Sequence, residues 1–177
     1  MHLVPAFNSL PVSWSPTRAV GWVAANLMKP KSHGRVWLRA ADPATLPRID
    51  AGLLAHPDDL ACLVEGVVHT RELLRTGPLA DLAAGVELLP GGDVADDEEA
   101  IGAFVRANVF GCDHWAGTCI MGPAPDAGAV VDSRGRVHGV DGLVVADASI
   151  LPEIPAANTN APTVMVAERV AAWLADQ

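Results

Sequence analysis

Apolar residues recur at three- and four-residue spacing in three parts of the chain, which is the pattern of helices that bury one stripe. The first predicted helix begins at Pro57, because a proline followed by two aspartates is typical of a helix start, and it ends near Gly77. The second follows the acidic run 96–99, whose carboxylates favour the positive end of a helix. The third opens at Pro162.

The predicted strands are shorter than the predicted helices. In residues 34–39, Val36 and Leu38 alternate with arginines and a tryptophan, which predicts a strand that buries these two side chains. Residues 130–137 contain Val130-Val131, a Ser-Arg-Gly turn and then Arg136-Val137, which predicts a hairpin. The apolar run 143–145 predicts a short buried strand. Helices and strands together predict a mixed fold of the α+β or α/β class.

The composition indicates a folded domain and excludes two classes of partner. Of the 177 residues, 50% are hydrophobic and 19% are charged, so the chain can bury a core. It carries 12 Lys and Arg against 21 Asp and Glu, which gives a formal charge of −9. Because nucleic acids and anionic membranes bind concentrated positive charge, we expect neither as a partner. No uncharged apolar run reaches the ~18 residues of a membrane span, so none is expected.

Cysteine usage and the first residues bear on the cellular compartment. The 3 cysteines form an odd number without regular spacing, which favours a reducing compartment. Residues 1–5 are not a basic leader followed by an apolar block, so we expect no signal peptide. These observations predict a cytoplasmic protein.

The first stretch with candidate chemistry is 112–119, which has a histidine between two cysteines. A zinc site would use Cys112, His114 and Cys119, but the stretch has no Cys-x-x-Cys pair and no clear fourth ligand, so we expect no metal. A lone histidine is more often structural or exposed than functional. His114 is nevertheless a candidate acid–base group, because imidazole exchanges protons near neutral pH.

Two further stretches contain polar groups that the hydrophobic pattern does not require. Asp147 follows the apolar run 143–145, at the end of a strand where open α/β sheets bind ligands, and its carboxylate can accept hydrogen bonds from hydroxyl groups. The alternative is an ordinary turn aspartate. The polar residues of 158–163 precede the last helix and are typical of a helix cap. Alternatively, the free amide groups there stabilise negative charge on a bound ring.

Three motifs occur in a fixed order: His-Trp-Ala-Gly-Thr-Cys-Ile-Met-Gly at 114–122, Asp-Ala-Ser-Ile-Leu-Pro at 147–152 and Asn-Thr-Asn-Ala-Pro-Thr at 158–163. Taken together, they resemble the C-terminal region of the glucose–methanol–choline (GMC) family of flavin-dependent alcohol oxidoreductases, close to its choline dehydrogenase-like members. Upstream, Lys-Pro-Lys-Ser-His-Gly-Arg-Val at 29–36 is similar to the substrate domain of that family.

The resemblance implies a specific domain organisation. Residues 1–111 would form part of the GMC substrate-binding domain, a sheet with flanking helices. Residues 112–177 would form the C-terminal strand–helix segment that returns to the Rossmann-like FAD-binding domain. A Gly-x-Gly-x-x-Gly motif, which cradles the FAD pyrophosphate, does not occur in these residues. The resemblance therefore implies that the N-terminal FAD-binding half of the same enzyme is a partner of this chain.

The resemblance also assigns roles to individual residues. His114 matches the active-site histidine of the family, which lies over the flavin and transfers the proton of the substrate hydroxyl. Asn160 matches the position, occupied by His or Asn, that holds the alcohol oxygen. Asp147 and Ala148 match contacts to the ribityl–pyrophosphate part of FAD. The other implied cofactor contacts are Asp113, where many relatives carry an aromatic residue, and Asn160, Ala161, Pro162 and Thr163 beside the flavin pyrimidine edge.

The implied function is that of the C-terminal portion of an FAD-dependent enzyme. Such an enzyme transfers a hydride from the CH–OH group of a small-molecule alcohol to FAD, with His114 as acid and base, and this portion would be inactive alone. The alternative is a non-catalytic remnant that binds a protein partner and no flavin. The joint presence of His114, Asn160 and Asp147 favours the enzyme.

Overall fold

The computed structural model describes residues 2–8, 20–83, 85–125 and 128–176, and the described residues combine helices with short antiparallel strand pairs. The strands are β1 (His2–Asn8), β2 (Val20–Asn26), β3 (Arg35–Trp37) and β4 (Arg48–Asp50). The helices are α1 (Pro57–Leu74), α2 (Gly77–Ala83), α3 (Glu98–Asn108) and α4 (Asn160–Ala175), and a 3₁₀ turn covers Ala148–Ile150. The mixed character that the sequence predicts is confirmed.

The chain divides into two compact units. The first unit comprises 1–33 and 53–109, and the second comprises 34–52 and 110–177. In the first unit β1 pairs with β2, with His2 opposite Asn26. In the second unit β3 pairs with β4, with Val36 opposite Ile49. The assignment of residues 1–111 and 112–177 to two parts of a larger enzyme stays a prediction.

The helix starts follow the local signals of the sequence. α1 begins at Pro57, and Nδ1 of His56 accepts the Asp58 amide proton at 3.2 Å. α3 begins after Asp97, whose carboxylate accepts the Ala100 amide proton at 2.8 Å. These contacts satisfy amide groups that have no acceptor within the helix. The predictions of both helices are confirmed, and Gly77, expected only to end α1, also begins α2.

The first unit is built around the packing of α1 against α3. Val64 of α1 and Ile101 and Val105 of α3 form its buried apolar cluster, and Ile101 has no exposed surface. The predicted apolar stripes of the two helices therefore face each other, which is the arrangement that buries both at once.

A buried arginine connects α1 to the segment that precedes α3. Arg71 is only 3% exposed, and its guanidinium donates to Glu87 and Asp96 at 2.7 Å each and to the Gly91 carbonyl at 2.8 Å. Arg75, one helical turn further on, is half exposed and also donates to Asp96. The hydrogen bond from Arg75 lowers the pKa of the Asp96 carboxyl. One side chain thus holds a segment of irregular backbone against α1.

The second unit has its own apolar cluster, formed by Val131, Ile150, Val166 and Val170. The last two residues belong to the stripe of α4, so the predicted C-terminal helix is confirmed as part of a core. Its start lies at Asn160 rather than at Pro162.

One of the two strand predictions in the second unit is wrong. Residues 130–137 form the predicted hairpin in a minimal form, since Val131 and Val137 make an antiparallel bridge and the His138 amide donates to the Val130 carbonyl at 3.0 Å. Residues 143–145, in contrast, contribute one bridge through Val144 instead of a strand. The physical reason is that turns interrupt the pairing: glycines at 135, 139 and 142 all have φ near +75°. The backbone groups between these turns bond to several partners rather than to one neighbouring strand.

The predicted burial of the 34–39 strand is also wrong. The strand forms as β3, but Val36 is 45% exposed and Leu38 is 77% exposed. The more buried side chain is Trp37, because the guanidinium groups of Arg35 and Arg48 lie 4.6 and 5.5 Å from its ring centroid. Cation–π stacking with two arginines therefore covers the face that the alternation assigned to solvent.

The structure also bears on the membrane span and the cysteines that the sequence analysis considered. Within the described ranges, no helix has the length and apolar character that crossing a bilayer requires. Cys62, Cys112 and Cys119 are free thiols.

The buried arginine yields a stability prediction. We expect Arg71→Met to lower the free energy of unfolding by about 3 kcal/mol, because it leaves partly buried acceptors without their donor. Arg75→Met serves as the matched control, and we expect a much smaller loss since its side chain is half exposed and solvent screens its ion pairs. Urea denaturation of both variants measures the difference, and equal losses would contradict the role of Arg71.

Candidate active site

The backbone of the second unit brings two of the predicted motifs side by side. The amides of Gly117, Cys119 and Met121 donate to the carbonyls of Ala148, Ser149 and Ile150, at 3.3, 2.9 and 2.9 Å respectively. The segment that follows His114 therefore runs along the 3₁₀ turn that follows Asp147. These bonds join residues about thirty positions apart without a regular sheet, so the arrangement depends on backbone pairing rather than on side-chain identity.

The third motif reaches the first through a side-chain contact. Nδ1 of His114 lies 3.0 Å from Oγ1 of Thr159, within hydrogen-bond distance. Thr159 is 6% exposed, and the His114 ring is partly buried. Asn160 is the next residue along the chain and is itself exposed. The structure therefore brings the predicted acid–base histidine to the residue that directly precedes its predicted partner.

The start of α4 is organised around Thr159. This residue occupies the N-cap position with helical backbone angles, and its side chain makes no capping hydrogen bond. Its carbonyl instead accepts both the amide and the hydroxyl of Thr163, at 2.9 and 2.7 Å. The amides of Asn160 and Ala161 have no acceptor within the helix because they belong to its first turn, and Pro162 has no amide proton. These two amides point a partial positive charge out of the helix start.

The Asp147 carboxylate lies at the start of the 3₁₀ turn and is exposed. Its Oδ1 accepts the Ser149 amide proton at 2.8 Å, so the side chain acts as the cap of that turn. This contact is the ordinary turn role that the sequence left open, and it is compatible with further hydrogen bonds because a carboxylate has about four acceptor positions. Ala148, the next residue, is partly buried.

Asp113 precedes the histidine in an unusual backbone conformation. Its φ is +58°, in the left-handed region that few residues other than glycine, asparagine and aspartate adopt. Its side chain is exposed. The chain bends at this residue, immediately before His114.

The candidate metal ligands do not form a centre. Over the described part of the chain, no group of three His, Cys, Asp or Glu side chains has the proximity needed to hold an ion. Cys112 and Cys119 are free thiols, and the His114 ring contacts Thr159.

The turn 132–135, which is centred on the Asp132 carboxylate, is hydrogen-bonded to the segment that leads to Asp147. Burial opposes ionisation of Asp132, but hydrogen bonds from Arg136 and from the amides of Arg134 and Arg136 outweigh this effect and lower the pKa of the Asp132 carboxyl. The turn ends at Gly135, whose carbonyl accepts the Val145 amide proton at 2.8 Å. The position of Val145, two residues before Asp147, thus depends on this turn.

Sequence reasoning did not single out Thr159 as a site residue. It lies within the Asn-Thr-Asn-Ala-Pro-Thr motif, where it resembles one more polar residue of a helix cap. The available signal was its position next to Asn160 at a helix start, but contact with His114 joins segments far apart along the chain and is not visible in a local pattern.

Comparison with known proteins identifies the family of this chain. The family profile described as GMC oxidoreductase matches residues 30–167, which include the His114, Asp147 and Asn160 segments. The chain belongs to the GMC oxidoreductase family, and it is thus related to enzymes of the oxidoreductase type.

Individual relatives are similar over most of this chain. It is 43% identical over 163 residues to the 5-(hydroxymethyl)furfural oxidase of Methylovorus sp. strain MP688, which covers 86% of this chain and 30% of that protein. It is 43% identical over 144 residues to oxygen-dependent choline dehydrogenase 1 of Chromohalobacter salexigens, which covers 81% of this chain and 25% of that protein. Among solved structures, formate oxidase from Aspergillus oryzae RIB40 matches with a TM-score of 0.84 at 29% identity, over 97% of this chain and 31% of that chain. The chain therefore spans about a quarter to a third of the length of these relatives.

The glycine that supports Val145 provides a prediction. At Gly135, φ is +77° and an added Cβ would lie 2.4 Å from the Val145 carbonyl oxygen, so we expect Gly135→Ala to lower the free energy of unfolding by roughly 3 kcal/mol. Gly139→Ala is the matched control: φ is +75° and nothing lies within 4 Å of its Cβ, so about 1 kcal/mol of backbone strain remains. Urea denaturation distinguishes the two, and equal effects would show that the close approach to Val145 does not matter.

Proposed function

We propose that this chain is the C-terminal portion of an FAD-dependent GMC enzyme that oxidises the CH–OH group of a small-molecule alcohol. The observation that carries the proposal is the contact between His114 and Thr159, because it brings an imidazole to the first residues of a helix. In this proposal, residues 112–177 contribute the segment that returns to the FAD-binding domain, and residues 1–111 contribute part of the substrate-binding sheet and its helices. The names of the relatives support it, since they are oxidases and choline dehydrogenases.

The residues of the second unit fit a flavin chemically. The exposed Asp147 carboxylate can accept hydrogen bonds from ribityl or ribose hydroxyls, and Ala148 beside it leaves room for close approach. The amides of Asn160 and Ala161 at the start of α4 suit the negatively charged edge of a reduced ring. Pro162 and Thr163 shape that helix start, and Asp113 would contribute a backbone contact. These are the residues that would hold FAD, which when bound supplies the acceptor for the hydride of the alcohol.

His114 performs the proton transfer in this proposal. Oxidation of an alcohol removes a proton from oxygen and a hydride from carbon, so the protein must accept the hydroxyl proton. Nδ1 of His114 is engaged by Thr159, which leaves Nε2 to accept that proton. The Asn160 carboxamide donates a hydrogen bond to the alcohol oxygen and orients it toward the imidazole. Proton acceptance by His114 makes the oxygen more electron-rich and thereby favours departure of the hydride.

The proposal includes the N-terminal FAD-binding half of the enzyme as the partner of this chain. The chain spans about a quarter to a third of the length of its relatives, and α4 exposes Val164 and Met165 to the extent of 54% and 60%. Apolar residues adjacent on an exposed helix face indicate a surface that another part of a protein covers. A non-catalytic interaction module would also have such a surface, but it would not require the His114–Thr159 contact beside Asn160.

The role of His114 leads to a kinetic prediction. In the complete flavin-containing enzyme, His114→Ala should lower the rate constant of flavin reduction by alcohol by a factor of about 10² to 10⁴, because a positioned general base is lost. The FAD content should stay unchanged, since the predicted FAD contacts lie on other residues. Stopped-flow absorbance of the flavin measures the rate, and the absorbance of the purified protein measures the FAD content.

His69→Ala is the matched control, because His69 is an exposed histidine on α1 that contacts only glutamates of its own helix among the described residues. The rate constant of flavin reduction by alcohol in the His69→Ala variant should equal that of the parent enzyme. Unchanged reduction in the His114 variant would remove this residue from the proton-transfer role.

A further inference from the structure

We propose that Thr159 is a positioning residue for His114: its hydroxyl oxygen accepts the Nδ1 proton of His114 and so keeps Nε2 as the nitrogen that accepts the substrate proton. This inference rests on the proposed function of His114. Thr159 touches neither substrate nor cofactor in this account, and it acts only through the imidazole.

The first argument is that the Thr159 hydroxyl has no competing structural role. Serine and threonine at an N-cap normally use their oxygen to accept an amide proton of the first helical turn. Thr159 holds the N-cap position of α4 without making that bond, and its Oγ1 lies 3.0 Å from the histidine instead. With 6% exposure, the residue is also shielded from water, and the imidazole is the partner of its Oγ1 among the described residues.

The second argument is that the backbone of Thr159 is fixed. Its carbonyl accepts two hydrogen bonds from Thr163, one turn further along α4, and α4 is anchored in the core through Val166 and Val170. On the other side, the segment after His114 is bonded to the 3₁₀ turn through the Gly117 amide. A hydrogen bond between two fixed groups orients a ring, because neither partner can move away to water.

The third argument concerns the tautomer. A neutral imidazole carries one proton, on Nδ1 or on Nε2, and only the form with a bare Nε2 can accept a proton there. A threonine hydroxyl can accept from Nδ1 or donate to it, and acceptance is the arrangement that leaves Nε2 bare. It also favours the imidazolium that follows, since a charged donor makes a stronger hydrogen bond than a neutral one. Among the described residues, no carboxylate forms an ion pair with His114, and the adjacent Asp113 is exposed, so the Thr159 hydroxyl is the polar side-chain group at Nδ1.

The test compares Thr159→Val with Thr159→Ser in the complete flavin-containing enzyme. Valine preserves the shape of threonine but removes the acceptor, so we expect the rate constant of flavin reduction to fall about tenfold with little change in the KM for alcohol. The acidic limb of the pH profile should move to lower pH, because the imidazolium loses its acceptor. Serine keeps a hydroxyl, so Thr159→Ser should retain the parent rate constant and the parent position of the acidic limb.

A readout that does not depend on activity is the nitrogen NMR spectrum of the His114 ring. The parent should show Nδ1 protonated and Nε2 bare above the pKa of the imidazole, and Thr159→Val should show a mixture of the two tautomers. Thr70→Val is the matched control, because the Thr70 hydroxyl bonds only within α1 among the described residues. It should change neither the spectrum nor the rate.

The outcomes separate this inference from the proposed function. If His114→Gln abolishes the acidic limb but Thr159→Val leaves the rate, the limb and the ring spectrum unchanged, His114 keeps its role and the positioning role of Thr159 is overturned. If His114→Gln leaves the limb in place, the proposed function fails. The ring spectrum still decides whether Thr159 selects the tautomer in that case.

Discussion

The apolar cluster of the second unit holds together two segments, 45 positions apart, that meet where Nδ1 of His114 contacts Oγ1 of Thr159. A single hydrogen bond contributes only about 1 kcal/mol to stability, so it cannot by itself hold two loops together. It persists because both partners are attached to the same apolar cluster. The 3₁₀ turn contributes Ile150 to that cluster, and α4 contributes Val166 and Val170. The core of the second unit therefore determines where the imidazole lies.

The region from 110 to 160 shows how a site can be fixed without regular secondary structure. Its described backbone forms isolated bridges and turns, yet amides from Gly117 to Met121 bond to successive carbonyls of the 3₁₀ turn. Each buried amide or carbonyl without a partner would cost free energy, so this bonding pattern admits few alternatives. Loops bound in this way combine the exposure that a ligand requires with the positional accuracy that proton transfer requires.

Local signals predicted the helices of this chain and the position of β3, but they failed on the burial of β3 and on the strand at 143–145, for a physical reason in each case. The starts of α1 and α3 depend on residues within one turn of each other, such as Asp97 and Ala100, so a short window contains the whole interaction. The burial of β3 depends on Arg48, which lies on the partner strand and stacks on Trp37. The turn at Gly135 likewise depends on Val145, ten positions away. The alternation of apolar and polar residues along one strand gives no information about contacts with residues elsewhere in the chain.

The order of the three motifs along the chain was enough to name His114 and Asn160 as candidate site residues. It gave no reason to name Thr159. The identity of the Nδ1 partner matters for the chemistry. A carboxylate at this position would form an ion pair with a charged imidazolium and hold it more strongly than a neutral group does. A neutral hydroxyl orients the same ring and stabilises its charge less, so the proton taken from an alcohol can leave again. Under the proposed function, His114 would accept a proton and release it in every cycle, and orientation by a neutral partner such as the Thr159 hydroxyl would suit that role.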